Sequence, residues 1–97
     1  IEGKVAGKVF APDELLSRQD MMTMIGRAIS LTESPDTAYM VLNGYKDGNS
    51  VSNYAKGYVA ALIGRGTVSG YEDSTLRPQS NSTRAEVAKI VYGIYNY

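Results

Sequence analysis

The strongest constraint on this chain is that part of it is written twice. Phe10-Ala11-Pro12 followed by Ser17-Arg18-Gln19-Asp20 returns as Leu76-Arg77-Pro78 followed by Thr83-Arg84-Ala85-Glu86, each position displaced by 66 residues with no gap between proline and arginine. Self-similarity at a fixed period marks a repeat architecture, in which a unit buries its apolar face on its neighbour. Upstream, Ile1-Glu2-Gly3 resembles Val68-Ser69-Gly70 once one residue is inserted, which sets Ile1 inside a unit. The 97 residues therefore divide into the C-terminal part of one unit, residues 1–31, and a complete unit, residues 32–97. A chain of this length has room for one core, and with no cysteine it has no disulfide framework to supplement that core.

Local patterns make both units helical. Ser17 with Asp20, and Thr83 with Glu86, fit S/T-x-x-D/E, a hydroxyl cap answered by an acid at the third helical position. Behind Ser17, Met21, Ile25, Ala28 and Ile29 recur at helical spacing. Behind Thr83 the stripe is Val87, Val91 and Ile94, flanked by Ala88 and Ile90. A third helix is expected from Tyr54 to Ile63, capped by Ser52 or Asn53, burying Ala55, Val59, Leu62 and Ile63 and stopping at Gly64 and Gly66. It carries Gly57 at a cost of about 1 kcal/mol against alanine. A shorter helix is expected from Pro35 to Leu42, where Ser34-Pro35-Asp36 supplies cap, first-turn proline and acid before Asn43-Gly44. Thr67 to Leu76 reads as a loop closed by Pro78. The fold class is all-α.

Composition removes several functions. Ten basic residues balance ten acidic ones, so no charge stripe predicts nucleic acid, and Arg84 and Lys89 alone do not make a DNA-reading helix. The absence of histidine and cysteine removes the usual zinc ligands and the commonest catalytic bases and nucleophiles, so no catalytic residue, metal or cofactor is expected. Asp47-Gly48-Asn49 opens like a calcium loop, but counting from Asp47 the turn glycine falls on Ser52 and the bidentate acid on Tyr58. Gly64-x-Gly66-x-x-x-Gly70 follows a helix and lacks the lysine of a phosphate loop. The unbroken apolar runs are a few residues long, too short for a membrane span.

Five elements in order then carry a family likeness: Tyr45-Lys46-Asp47, Tyr54-Ala55, Gly66-Thr67-Val68-Ser69-Gly70-Tyr71-Glu72-Asp73, Leu76-Arg77-Pro78 and Thr83-Arg84-Ala85-Glu86. Together they resemble an S-layer homology repeat over about residues 45–95, with residues 1–31 matching only the tail of such a repeat. Tyr54 stands where the family has tryptophan, Ser74 where it has glycine, Leu76 where it has an aromatic residue and Gln19 where it has alanine. The resemblance implies helix-loop-helix repeats, about one and a half units of a pseudo-threefold bundle. It also implies an extracellular place on the bacterial cell surface, attached non-covalently to a secondary polysaccharide of the cell wall, commonly one carrying pyruvate ketals. The glycan-binding positions it implies are Arg84, Arg18 and Asp47, with Gly70 and Tyr71 lining a groove between units.

The residues support this chemistry independently. Arg18 and Arg84 open their helices, where the macrodipole disfavours a cation, and a guanidinium beside helix N–H groups suits a carboxylate or phosphate. The opposing expectation is that Arg84 bridges to Glu86, Asp47 or Asp73. Eight tyrosines without tryptophan offer flat faces and hydroxyls suited to sugars, Tyr54 and Tyr71 lying nearest the motif elements. A rival reading is an assembly element: a chain beginning inside a repeat lacks the helix expected to cover Met21 to Ile29, and such a seam would recruit the remaining repeats or another chain.

Overall fold

The structure, a computed structural model, describes residues 16–95. The expectations placed on residues 1–15 and on Tyr97, including the Phe10-Ala11-Pro12 half of the repeat, lie outside the described residues. Four α-helices make up most of the regular structure: α1 (Arg18–Ala28), α2 (Pro35–Leu42), α3 (Asn53–Arg65) and α4 (Arg84–Tyr95). A 3-10 turn, Gly48–Ser50, precedes α3, and no strand occurs among the described residues.

Helix α3 is the hub, with α1 and α2 both packing on it. Its inner surface is built from Ala55, Val59, Ala60, Ala61 and Leu62, all buried, and the alanines let the neighbouring backbones come close. Met21, Met22 and Ile25 of α1 and Ala38 and Leu42 of α2 close over it. Val51, Val68, Leu76 and Ile90 carry the same core beneath the loops and onto α4. Each fully buried Met, Leu or Val side chain contributes about 1.5–3 kcal/mol relative to exposure.

The helix ends follow the sequence with two changes. Ser34 caps α2 by accepting the N–H of Thr37 at 3.3 Å, and Asn43 closes it. Ser52 precedes α3 without capping it, because its hydroxyl accepts a hydrogen bond from Gln19 Nε2 at 2.9 Å instead. The helix runs through Gly64 to Arg65 and ends on Gly66, whose φ of 85° suits a residue without a side chain. Gly57 lies where α3 passes the α1–α2 connection: a Cβ there would sit 2.4 Å from Thr32 Oγ1 and 2.9 Å from the Glu33 carbonyl. Its cost in helix propensity is the condition for that crossing.

The burial pattern corrects three expectations. Ala28 is exposed and Met22 is core, so the inner face of α1 is centred on Met21, Met22 and Ile25. That face is covered by α3, which removes the uncovered Met21–Ile29 seam on which the assembly reading was founded. On α4 the most buried residue is Ile90, at 5% exposure, while Val87, Val91 and Ile94 are partly buried and Ala88 is exposed.

Candidate functional site

The start of α1 meets the segment that precedes α4. Ser17 forms an isolated antiparallel bridge with Asn81. The first N–H groups of α1 are satisfied across the seam, Arg18 N–H donating to the Ser80 carbonyl at 2.8 Å and Gln19 N–H to that of Pro78 at 3.0 Å. Ser82 N–H returns to the Leu16 carbonyl at 2.7 Å. The segment before α4 therefore does for α1 what water or an anion does at an exposed helix start. The expectation that free helix N–H groups stand beside Arg18 is overturned, since Ser17 Oγ also takes the N–H of Asp20 at 3.2 Å.

Arg18 turns into the molecule and is only 5% exposed. Its Nε donates to the Leu76 carbonyl at 2.9 Å, its Nη1 pairs with Glu86 Oε2, and its guanidinium lies 4.9 Å from the centre of the Tyr71 ring. Burial lowers its pKa from the ordinary guanidinium value, with Tyr71 and Asp47 opposing that shift and Arg77 adding to it. Glu86 is shared three ways. Its Oε1 accepts the N–H of Thr83 at 2.8 Å while its own N–H donates to Thr83 Oγ1 at 3.1 Å, a complete capping box. Its Oε2 takes Arg18 and also the Tyr71 hydroxyl at 3.0 Å.

Asp47 fixes the loop opposite. Its Oδ1 accepts the N–H of Leu76 at 2.7 Å and its Oδ2 that of Arg77 at 2.9 Å, so both carboxylate oxygens serve the backbone that offers its carbonyl to Arg18. Gly70 stands at a crossing with no room for a side chain, because a Cβ there would lie 2.6 Å from Tyr45 Cε1 and 2.9 Å from the Thr75 carbonyl. The Tyr71 ring also receives the Arg77 guanidinium, 3.8 Å from its centre, while Arg77 Nη2 reaches Asp73 Oδ2 at 3.4 Å.

These parts enclose an open groove of about 490 Å³ between the start of α1, the loop from Gly66 to Tyr71, and the Glu86, Lys89 and Ile90 face of α4. That is within the range of small-ligand sites. Among the positions singled out in the sequence, Arg18, Gly70 and Tyr71 line it. Asp47 supports it through the backbone. Arg84 is exposed and does not line it, and the ion pairs among the described residues join Arg18 to Glu86 and Arg77 to Asp73, so none of the bridges expected for Arg84 forms. Tyr54 is also apart from the groove. The residue is 53% exposed and its hydroxyl is tied to Asp20 Oδ1 at 2.5 Å, a bond that raises its pKa above the usual phenol value.

Sequence reasoning left out Lys89 and the shared role of Glu86. A signal was present, since Glu86, Lys89 and Ile90 are spaced i, i+3, i+4 and so lie on one helical face. Among the described residues no cluster of acids could hold a metal ion, and no helix is long and apolar enough to cross a membrane.

Comparison with known proteins agrees with this architecture. Residues 44–88 match the S-layer homology domain. The chain is 31% identical over 97% of its length to an exoglucanase, XynX, of Acetivibrio thermocellus, and over 97% to an amylopullulanase of Thermoanaerobacterium thermosulfurigenes. It is 27% identical over 84% of its length to a cellulosome-anchoring protein of Acetivibrio thermocellus. It spans 8%, 5% and 18% of these curated relatives. No solved structure matches significantly. The matched domain is a binding and anchoring module of cell-surface proteins rather than a catalytic one. Residues 44–88 are thus an S-layer homology domain.

Proposed function

We propose that this chain anchors the protein carrying it to a bacterial cell wall by holding an anionic secondary wall polysaccharide, of the kind that carries pyruvate ketals, in the groove between its two units. The observation that carries the reading is the composition of that groove: two cations, Arg18 and Lys89, against one carboxylate, Glu86, with the Gly66–Tyr71 loop as its wall. A sugar acid needs a positive field, hydroxyl partners and a flat apolar surface, and this groove offers all three through its cations, the loop backbone and Tyr71. The cellulosome-anchoring relative supports the anchoring role by its name.

On this reading residues 1–31 close one repeat and 32–97 form the next. Arg84 holds in the second repeat the place of Arg18 in the first, and would serve an equivalent groove against a further repeat. Tyr54, exposed and oriented by Asp20, is a second sugar platform outside the groove. Several such grooves on one parent protein would add avidity without new contacts.

Co-sedimentation of the chain with purified bacterial walls, intact and stripped of secondary polymer, tests this. Pelleting with intact walls and its loss on stripped walls is expected, together with weakening by Tyr71→Ala. Equal pelleting with stripped walls would overturn it. The assembly reading keeps one observation, the exposure of Tyr39 and Met40 on α2 at 64% and 75%. It requires a concentration-dependent increase in mass in the absence of polysaccharide.

A further inference from the structure

Resting on the groove as an anionic glycan site, we infer that Lys89 is the cation that meets the ligand's negatively charged group, and that Glu86 masks Arg18 and so sets the groove's charge. Arg18 is neutralised before any ligand arrives: it is nearly buried, and its guanidinium is divided among Glu86, the Leu76 carbonyl and the Tyr71 ring. Lys89 lines the same groove from one turn further along α4, is exposed, and has no carboxylate partner among the described residues. With Arg18 and Glu86 cancelling, the positive charge left in the groove is that of Lys89.

The repeat offers a comparison for this charge. The position equivalent to Lys89, 66 residues earlier, is Thr23, whose hydroxyl is buried and donates to the Gln19 carbonyl at 2.7 Å. A lysine is therefore not demanded by the helix in both units. Arg18 acts as a positioning residue, holding Tyr71 and the loop before α4. Lys89 is the point charge a carboxylate can reach without displacing an existing partner.

The test measures binding to purified bacterial walls over a range of salt for the wild-type chain, Lys89→Met, Lys89→Arg and Glu86→Gln, with a thermal melt of each. Lys89→Met should weaken binding about tenfold and flatten its salt dependence, as expected for loss of a charged hydrogen bond, and Lys89→Arg should restore both. Glu86→Gln keeps the capping box, which accepts glutamine, and should tighten binding by unmasking Arg18. Wild-type affinity and salt dependence in Lys89→Met would overturn the assignment while leaving the anchoring reading intact. Weaker binding by a folded Glu86→Gln would overturn the masking role. Failure of the wild-type chain to pellet with intact walls would instead remove the glycan reading and this inference with it.

Discussion

Asp47 spends neither carboxylate oxygen on a side chain. Both accept backbone N–H groups, those of Leu76 and Arg77, and the Leu76 carbonyl then receives Arg18 Nε. The aspartate thus orients the arginine through one turn of backbone. Removing it leaves the partly buried Leu76 N–H without its acceptor, so Asp47→Ala should destabilise the fold by about 1–3 kcal/mol, measured by denaturant unfolding. Tyr54 offers a second prediction at this scale. Its phenol pKa is raised first by the hydrogen bond to Asp20, with desolvation and the Asp20 charge adding to it and Ser52 and Gln19 opposing. A pKa higher in the folded state than in the unfolded one gives stability that is present below the ordinary phenol value and lost as pH rises through the folded value. Ultraviolet titration should therefore show Tyr54 ionising late, and Tyr54→Phe should remove that late step.

The loop between α3 and α4 shows what an element requires of its residues. Tyr71 N–H donates to the Thr75 carbonyl at 2.9 Å and Ser74 N–H to that of Tyr71 at 3.0 Å, closing a tight reversal with Ser74 at φ 65°. In this left-handed region a residue with a Cβ costs about 1–2 kcal/mol. Ser74→Gly should accordingly raise stability by about 1 kcal/mol, offset in part by the greater freedom glycine gains in the unfolded chain, and an unchanged or lowered melting temperature would refute the strain argument. Asp73 braces the same reversal by accepting the hydroxyl and N–H of Thr75 at 2.6 and 3.2 Å. The Thr75 hydroxyl is the main reason its carboxyl lies below the ordinary carboxylate value. That contribution is present above the unfolded pKa and fades as pH falls through the folded one. The two capping boxes differ as well. Glu86 completes its box with Thr83, whereas Asp20 leaves its own half made, its N–H on Ser17 and its carboxylate on Tyr54.

Across the whole molecule α3 decides stability, because α1 and α2 both close on it. Leu62 is fully buried at its centre, so Leu62→Ala should cost about 2–5 kcal/mol, read as a lowered denaturation midpoint with loss of the Arg18 groove. The sequence alone was enough for the all-α class, the starts of α1 and α4 and the bounds of α2. These rest on contacts three or four residues apart, Ser17 with Asp20 or Thr83 with Glu86, and on apolar spacing that any helix must bury. It also marked Arg18, Gly70 and Tyr71, which meet in one groove. Long-range packing settles which arginine turns inward, pairs it with Glu86 near the start of α4, sets backbone carbonyls against the start of α1 and brings Lys89 into the groove. Arg18 and Arg84 occupy the same place in the repeat and read alike as sequence. They differ because Arg18 has Leu76, Tyr71 and Glu86 folded around it and Arg84 stands exposed, and those neighbours are brought together by burial on α3, which depends on the whole core and on no local pattern.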